Sequence, residues 1–152
     1  MLAAPDIVVT GQDSPHVDLA IEAKAAPLSS ALATGCEARL RRYMAGMRCP
    51  VGMLVGADRI RIYRDEYREV GVDSIALIGE YPTTGLPFVG AANAGGATYE
   101  GAVQDWLESL RIESVRARLL PDLRVAIEAH VLPALVAGHV RAGTPRLQHV
   151  GS

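Results

Sequence analysis

Only two cysteines, Cys36 and Cys49, occur among the 152 residues. That is too few for the disulfide framework of a small secreted domain, and the expectation is two reduced thiols in a cytoplasmic protein. No run of about 18 apolar residues is present, which argues against a membrane-spanning helix. The N-terminus lacks a basic region followed by an apolar stretch, so no secretory signal is read there. No segment repeats. His16, His130, His139 and His149 have no metal-ligand spacing and the cysteines add none, so a zinc site is not expected. Gly95-Gly96 lacks a P-loop pattern, and no Ser-His-Asp arrangement can be argued. The chain has no strong excess of either charge, with a formal net charge of -2. That argues against a wholly basic nucleic-acid coat protein but leaves room for a local basic surface.

Lysine is the sharpest scarcity. Fourteen of the fifteen basic residues are arginine, and the only lysine is Lys24. A bias toward arginine accounts for the fourteen and leaves the exception wanting a reason. Catalysis can supply one, because lysine is a compact and tunable ammonium.

What is there reads as a folded domain. The apolar fraction of 49% and a length within the one-domain range allow a sizeable core. Ile7 to Thr10 is a short apolar run after Pro5-Asp6, and Gly11 to Pro15 is a dense turn signal. Val17 to Ala23 alternates, with Val17, Leu19 and Ile21 on one face and Asp18, Ala20 and Glu22 on the other, so the two segments predict a β-hairpin. Ser29 or Ser30 can cap a helix running to about Ala45 and stopping at Gly46. Leu32, Cys36, Leu40, Tyr43 and Met47 give that helix one buried face. Pro50 to Val55 and Arg59 to Tyr63 predict two more strands around a turn at Gly56-Ala57-Asp58. Ser74 to Ile78 suggests another short strand.

A composition shift follows, from Tyr81 to Gly96, with many Gly, Ala, Pro and Thr residues. Thr98 is then the expected cap of a helix to about Leu110. Leu123, Ile127, Val131 and Leu135 predict a last helical stretch that Pro133 should kink or divide. From Gly138 the chain is polar and is expected to be loose. The organisation expected is an α/β core over 1–80 with β-β-α-β-β order, an irregular connection over 81–97, and a helical extension over 98–142 packing on the core or a second subunit. A loose tail covers 143–152.

Three residues of the hairpin carry chemistry. If Asp6 lies opposite Glu22, then Val8 faces Ala20 and Thr10 faces Asp18. Opposed residues on antiparallel strands share a face, with Cβ atoms about 4.5–5.5 Å apart. Lys24 lies two residues beyond Glu22 and shares that face too. Two such carboxylates suit Mg²⁺, which keeps several waters and takes one or two carboxylates and substrate phosphates. The Ala23 carbonyl, between Glu22 and Lys24, is a further candidate ligand. Lys24 can orient an attacking water or stabilise the charge of a phosphoryl transition state. The bland alternative is a solvated Glu-x-Lys face pair beside a Pro-Asp turn.

Pro5-Asp6-Ile7-Val8-Val9 and Leu19-Ala20-Ile21-Glu22-Ala23-Lys24 resemble the PD-(D/E)xK nuclease superfamily. They look most like the N-terminal nuclease domains of type I restriction-enzyme subunits and related restriction-modification proteins. The helix ending Arg39-Leu40-Arg41-Arg42-Tyr43, the strand Val51-Gly52-Met53-Leu54-Val55 and the segment Arg61-Ile62-Tyr63 continue the likeness, which covers about residues 5 to 64. Arg39 departs from it, since that subfamily often has Gln at this position. A preceding helix with another acidic residue is also frequent there, and five residues precede Asp6 here.

The resemblance implies a restriction-endonuclease-like α/β fold and a metal-dependent DNA endonuclease. Its catalytic residues would be Asp6, Glu22 and Lys24, and its Mg²⁺ (or Mn²⁺) ligands Asp6, Glu22 and Ala23. DNA would be the partner, contacted by Arg39, Arg42 and Tyr43. Apart from the resemblance, the eight arginines of residues 36–68 read either as a phosphate-tracking surface or as ordinary solvated helix and strand edges. The apolar stripes of the C-terminal helices could form a homodimer, and the domain could belong to a larger restriction-modification protein or complex. The alternative expectation is a non-catalytic DNA-binding or assembly module of the same fold.

Overall fold

In the computed structural model, which describes residues 3–143, the turn-rich segment after Thr10 folds the chain back on itself. β1 (Ile7–Gly11) and β2 (Val17–Ala23) pair antiparallel. Val8 faces Ala20, as expected, and Ile7 faces Ile21, a register whose next step sets Asp6 against Glu22. The turn end departs from expectation. Thr10 lies opposite Val17 and not Asp18, because Asp18 is an extra residue on β2. Such a bulge turns the residues beyond it to the other face. Val17 accordingly packs with Val8 and Ala20 instead of with Leu19 and Ile21.

Helix α1 (Ser30–Met47) returns the chain so that β3 (Val51–Val55) runs parallel to β2. Parallel neighbours need a crossover of this kind. Ser29 occupies the N-cap position, yet its side chain makes no capping bond. The helix runs through Gly46, and the left-handed turn that ends it falls on Arg48, with φ 53°. Ala33, Cys36, Leu40, Tyr43 and Met44 form the buried stripe, whereas Leu32 and Met47, expected on it, are exposed. Leu32 lies at the edge of the stripe and Met47 is the last helical residue, so neither is covered by the sheet.

β4 (Arg59–Asp65) follows the expected turn and pairs antiparallel to β3, and β5 (Ile75–Pro82) pairs antiparallel to β4. β5 is longer than expected. It is an edge strand with many exposed positions, so backbone pairing with β4 extends it where side-chain pattern is silent.

The connection after β5 contains a 3₁₀ turn, Pro87–Ala91. Its buried Phe88 stands edge-on to Tyr99 and Trp106, with ring centroids 5.8 and 5.1 Å away. α2 (Gly96–Ser109) starts before Thr98; Gly95, at φ 98°, is its N-cap. That positive φ suits glycine and would strain threonine. α3 (Glu113–Arg116) and α4 (Pro121–Ala126) come next. A widened π turn, Ile127–Val131, then joins α4 to α5 (Leu132–Ala137). Pro133 therefore sits in the first turn of α5, where its missing N–H breaks no helical bond.

Gly138–Ala142, expected to be loose, is instead β6, paired antiparallel to β1 at five positions. Backbone pairing holds it, so its polar side chains gave no sign of a strand. The expected helical stretch to residue 142 thus ends in this strand, and residues 144–152 of the expected tail lie outside the described residues.

The product is an α/β fold with a six-stranded mixed sheet in the order β5-β4-β3-β2-β1-β6. α1 covers one face through Ala20, Leu54, Tyr63 and Leu40. On the other face Leu19, Ile21, Met53 and Ile62 meet Tyr99, Leu107, Leu123, Ile127 and Leu135 from the C-terminal helices. Among the described residues no helix is long and apolar enough to cross a membrane.

Candidate functional site

Where β1 begins and β2 ends, on the α1 side of the sheet, the structure brings Asp6, Glu22 and Lys24 together. The Lys24 Nζ lies 3.5 Å from Asp6 Oδ2 and 3.7 Å from Glu22 Oε2. Backbone bonds fix the frame. The Ala23 N–H donates to Asp6 Oδ2 at 2.9 Å, the Lys24 N–H donates to the Val55 carbonyl at 2.9 Å, and the Gly143 N–H donates to the Asp6 carbonyl at 3.0 Å. Asp6 is therefore held by both neighbours of β1. In an extended residue N–H and C=O project toward the same strand edge, so the Ala23 carbonyl turns to the edge that faces Asp6.

Glu22 is the buried member, with its side chain only 5% exposed. Burial pushes its carboxyl pKa up, and the neighbouring Asp6 adds to the rise; the hydrogen bond from Arg39 and the charges of Lys24 and Arg39 oppose it. Arg39, on α1, donates from Nη2 to Glu22 Oε2 at 3.0 Å. The hydrogen bond from Arg39 to Glu22 and the carboxylate charge raise the guanidinium pKa. Two carboxylates and two cations thus form a balanced quartet.

The sequence placed Arg39 among residues that contact DNA and did not foresee its bond to Glu22. The signal was present: Arg39 lies on the face of α1 that carries Cys36 and Tyr43, and the β2–α1–β3 crossover lays that face over β2. Arg42 is exposed on α1, but Tyr43 is not a surface residue. It packs into the α1–sheet core, and burial raises its phenol pKa, so its ring is not presented for stacking.

Several other arginines are engaged by partners within the protein. Arg41 lies over the Tyr63 ring, 5.1 Å from its centroid, and donates to the Ile75 carbonyl. Tyr63 donates to Glu37, so α1 is locked onto β4 and β5. Arg59 and Arg61 both pair with Glu80, and Arg68 pairs with Glu66. Arg42 and Arg48 have no ion pair among the described residues.

Asp6 and Glu22 supply the donor type Mg²⁺ takes, one or two carboxylates with water in most other positions, and both carboxylates are already paired with side-chain cations. No group of three or more His, Cys, Asp or Glu side chains able to hold a metal occurs among the described residues. A separate cleft of about 310 Å³ lies at the other end of β2, between Asp18, Val51, Arg64, His130 and Pro133. Burial and the nearby Arg64 lower the His130 pKa, and the cleft holds no paired carboxylates.

No protein-family model, curated protein or solved structure was found to match the chain.

Proposed function

We propose that the chain is a Mg²⁺-dependent DNA endonuclease domain of restriction-modification type, with a restriction-endonuclease-like fold. The observation that carries the reading is the single lysine placed within 4 Å of two carboxylates from adjacent strands. The likeness of Asp6, Glu22 and Lys24 to the PD-(D/E)xK motif supplies the reaction class. Asp6, Glu22 and the Ala23 carbonyl would hold the metal, which lowers the pKa of a bound water and neutralises phosphodiester charge.

The chain's own groups do the rest. The Lys24 ammonium orients the water or faces the negative charge that builds on the phosphoryl oxygens. In the reaction the water oxygen bonds to phosphorus, one P–O ester bond breaks, the water's proton leaves to solvent, and the departing oxygen takes up a proton. The Ala23 N–H holds Asp6 in place through Oδ2, and in the DNA-free protein Arg39 pairs with Glu22 through Oε2. The exposed Arg42 is a candidate for a phosphate contact, each such contact adding salt-dependent affinity. Cytoplasmic location, a homodimer through the C-terminal helices and membership of a larger restriction-modification assembly belong to the same proposal.

The test is cleavage of supercoiled, linear and single-stranded DNA with Mg²⁺ or Mn²⁺, beside the Lys24→Ala variant. Metal-dependent cleavage by the wild type and its loss in the variant are expected. Cleavage that survives the substitution would sink the assignment.

One observation favours a second reading, a non-catalytic DNA-binding or assembly module. Glu22 is already engaged by Arg39 and the quartet is balanced without a metal. Calorimetry that finds no divalent-ion binding, alongside retained DNA affinity, would select it.

A further inference from the structure

Arg39 engages one of the two carboxylates that a metal would need. The guanidinium donates to Glu22 Oε2 at 3.0 Å, and Glu22 is one of the two carboxylates available to a cation at this site. The two carboxylates already face two positive side chains. Adding a divalent ion to this quartet places four positive charges against two negative ones in a partly dry site, where Coulomb terms are large. Binding is favourable only if one side-chain cation leaves or an anion arrives.

The two cations differ in their freedom to leave. Lys24 is on β2 itself, its backbone is pinned to Val55, and its ammonium reaches both carboxylates. Arg39 comes from the facing helix, its side chain is 41% exposed against 29% for Lys24, and among the described residues its only ion pair is with Glu22. Its planar fork of donors matches a phosphate as well as a carboxylate. A phosphodiester arriving beside α1 therefore offers Arg39 an alternative partner at the moment the site must lose a positive charge.

We propose that Arg39 is a gating residue: it occludes Glu22 in the DNA-free protein and moves to a DNA phosphate when the duplex binds, so that divalent-ion binding is coupled to substrate. The inference rests on the proposed nuclease reading and adds an order of events to it. Without DNA the metal site is closed by an internal ion pair; with DNA it opens. Coupling of this kind is reciprocal, so the ion strengthens duplex binding by the factor with which the duplex strengthens ion binding.

The test is calorimetric titration of Ca²⁺, an ion chosen to bind without supporting hydrolysis, into the wild-type chain, Arg39→Gln and Glu22→Gln, with and without a short DNA duplex. For the wild type the duplex should tighten Ca²⁺ binding by about tenfold or more, within the usual range of coupling energies. Arg39→Gln should bind Ca²⁺ at least several-fold more tightly than wild type without DNA, and most of the gain on adding duplex should vanish. Should that variant not fold by circular dichroism, Arg39→Met keeps the aliphatic stem, removes the charge and gives the same readout. Ca²⁺ affinity in the DNA-free variants equal to or weaker than wild type, with binding still lost in Glu22→Gln, overturns the gate and leaves the nuclease reading standing. No Ca²⁺ binding in any wild-type or Arg39-variant titration overturns both.

Discussion

The Ala23 N–H donates to Asp6 Oδ2 at 2.9 Å, tying the residue before β1 to the last residue of β2. One aspartate oxygen thereby closes the end of the hairpin and also faces the Lys24 ammonium. Structure and proposed chemistry converge on the same atom, and substitutions of Asp6 can separate them.

Asp6→Asn keeps a carbonyl oxygen that can accept the Ala23 N–H and removes the charge. It should retain most of the fold's stability and lose metal-dependent cleavage. Asp6→Ala removes the acceptor as well and should cost about 1.5–3 kcal/mol, the range for a hydrogen bond to a charged group. Urea denaturation beside a plasmid-nicking assay distinguishes the two. Equal stability of both variants would show that the bond adds little to the hairpin.

Lys24→Ala should lower kcat by about 10²- to 10³-fold, the usual cost of removing one group that stabilises a transition-state charge. The ammonium is partly exposed and lies between carboxylates, so the far-ultraviolet circular dichroism spectrum should not change. Single-turnover cleavage with saturating Mg²⁺ is the measurement.

Gly138 begins β6 opposite Gly11, and a Cβ there would collide with the Thr10 backbone carbonyl. Backbone on both sides leaves little room to yield. Gly138→Ala should destabilise the protein by about 1–3 kcal/mol, as overpacking does. Hydrogen exchange should show the loss concentrated in β6 and in the bond from Gly143 to Asp6. A variant as stable as wild type would mean that β6 adjusts freely against β1.

Buried thiol and phenol groups set the alkaline limit. Burial pushes the Cys49 thiol from an ordinary 9.0 up to about 12 and the Tyr99 phenol from 10.0 up to about 12. Tyr63 is also raised, by burial and by Glu37. Between the ordinary and the raised values the folded chain holds protons that the unfolded chain has released, so stability falls as pH rises. These groups contribute no slope below about pH 8, and the urea midpoint should drop from about pH 9 upward. Cys49→Ala should delay the onset by about one pH unit, to where the tyrosines begin. A midpoint unchanged between pH 8 and 11 would count against neutral burial of these groups. The same burial, with Cys36 also covered, predicts that a thiol reagent at pH 8 labels neither cysteine until the protein unfolds.

The sequence by itself was enough for the elements whose pattern is local. The hairpin, α1, β3 and β4 follow from alternation, helical spacing and turn residues, and the approach of Asp6, Glu22 and Lys24 follows from counting along two strands that a short loop forces together. The division of the last helix at Pro133 was equally legible, because a missing N–H acts wherever the chain goes. Tertiary structure decided the rest. β6 is held by backbone pairing to a strand more than 120 residues earlier, and its own side chains carry no record of that partner. The bulge at Asp18 moved Val17 to the other face while leaving the register at Ala20 intact. The bond from Arg39 to Glu22 depends on how α1 lies across β2, which is set by the packing of Ala33, Cys36 and Leu40 on the sheet. Sequence pattern specifies faces and local register; only the packed layers decide which charge on one element meets which charge on another.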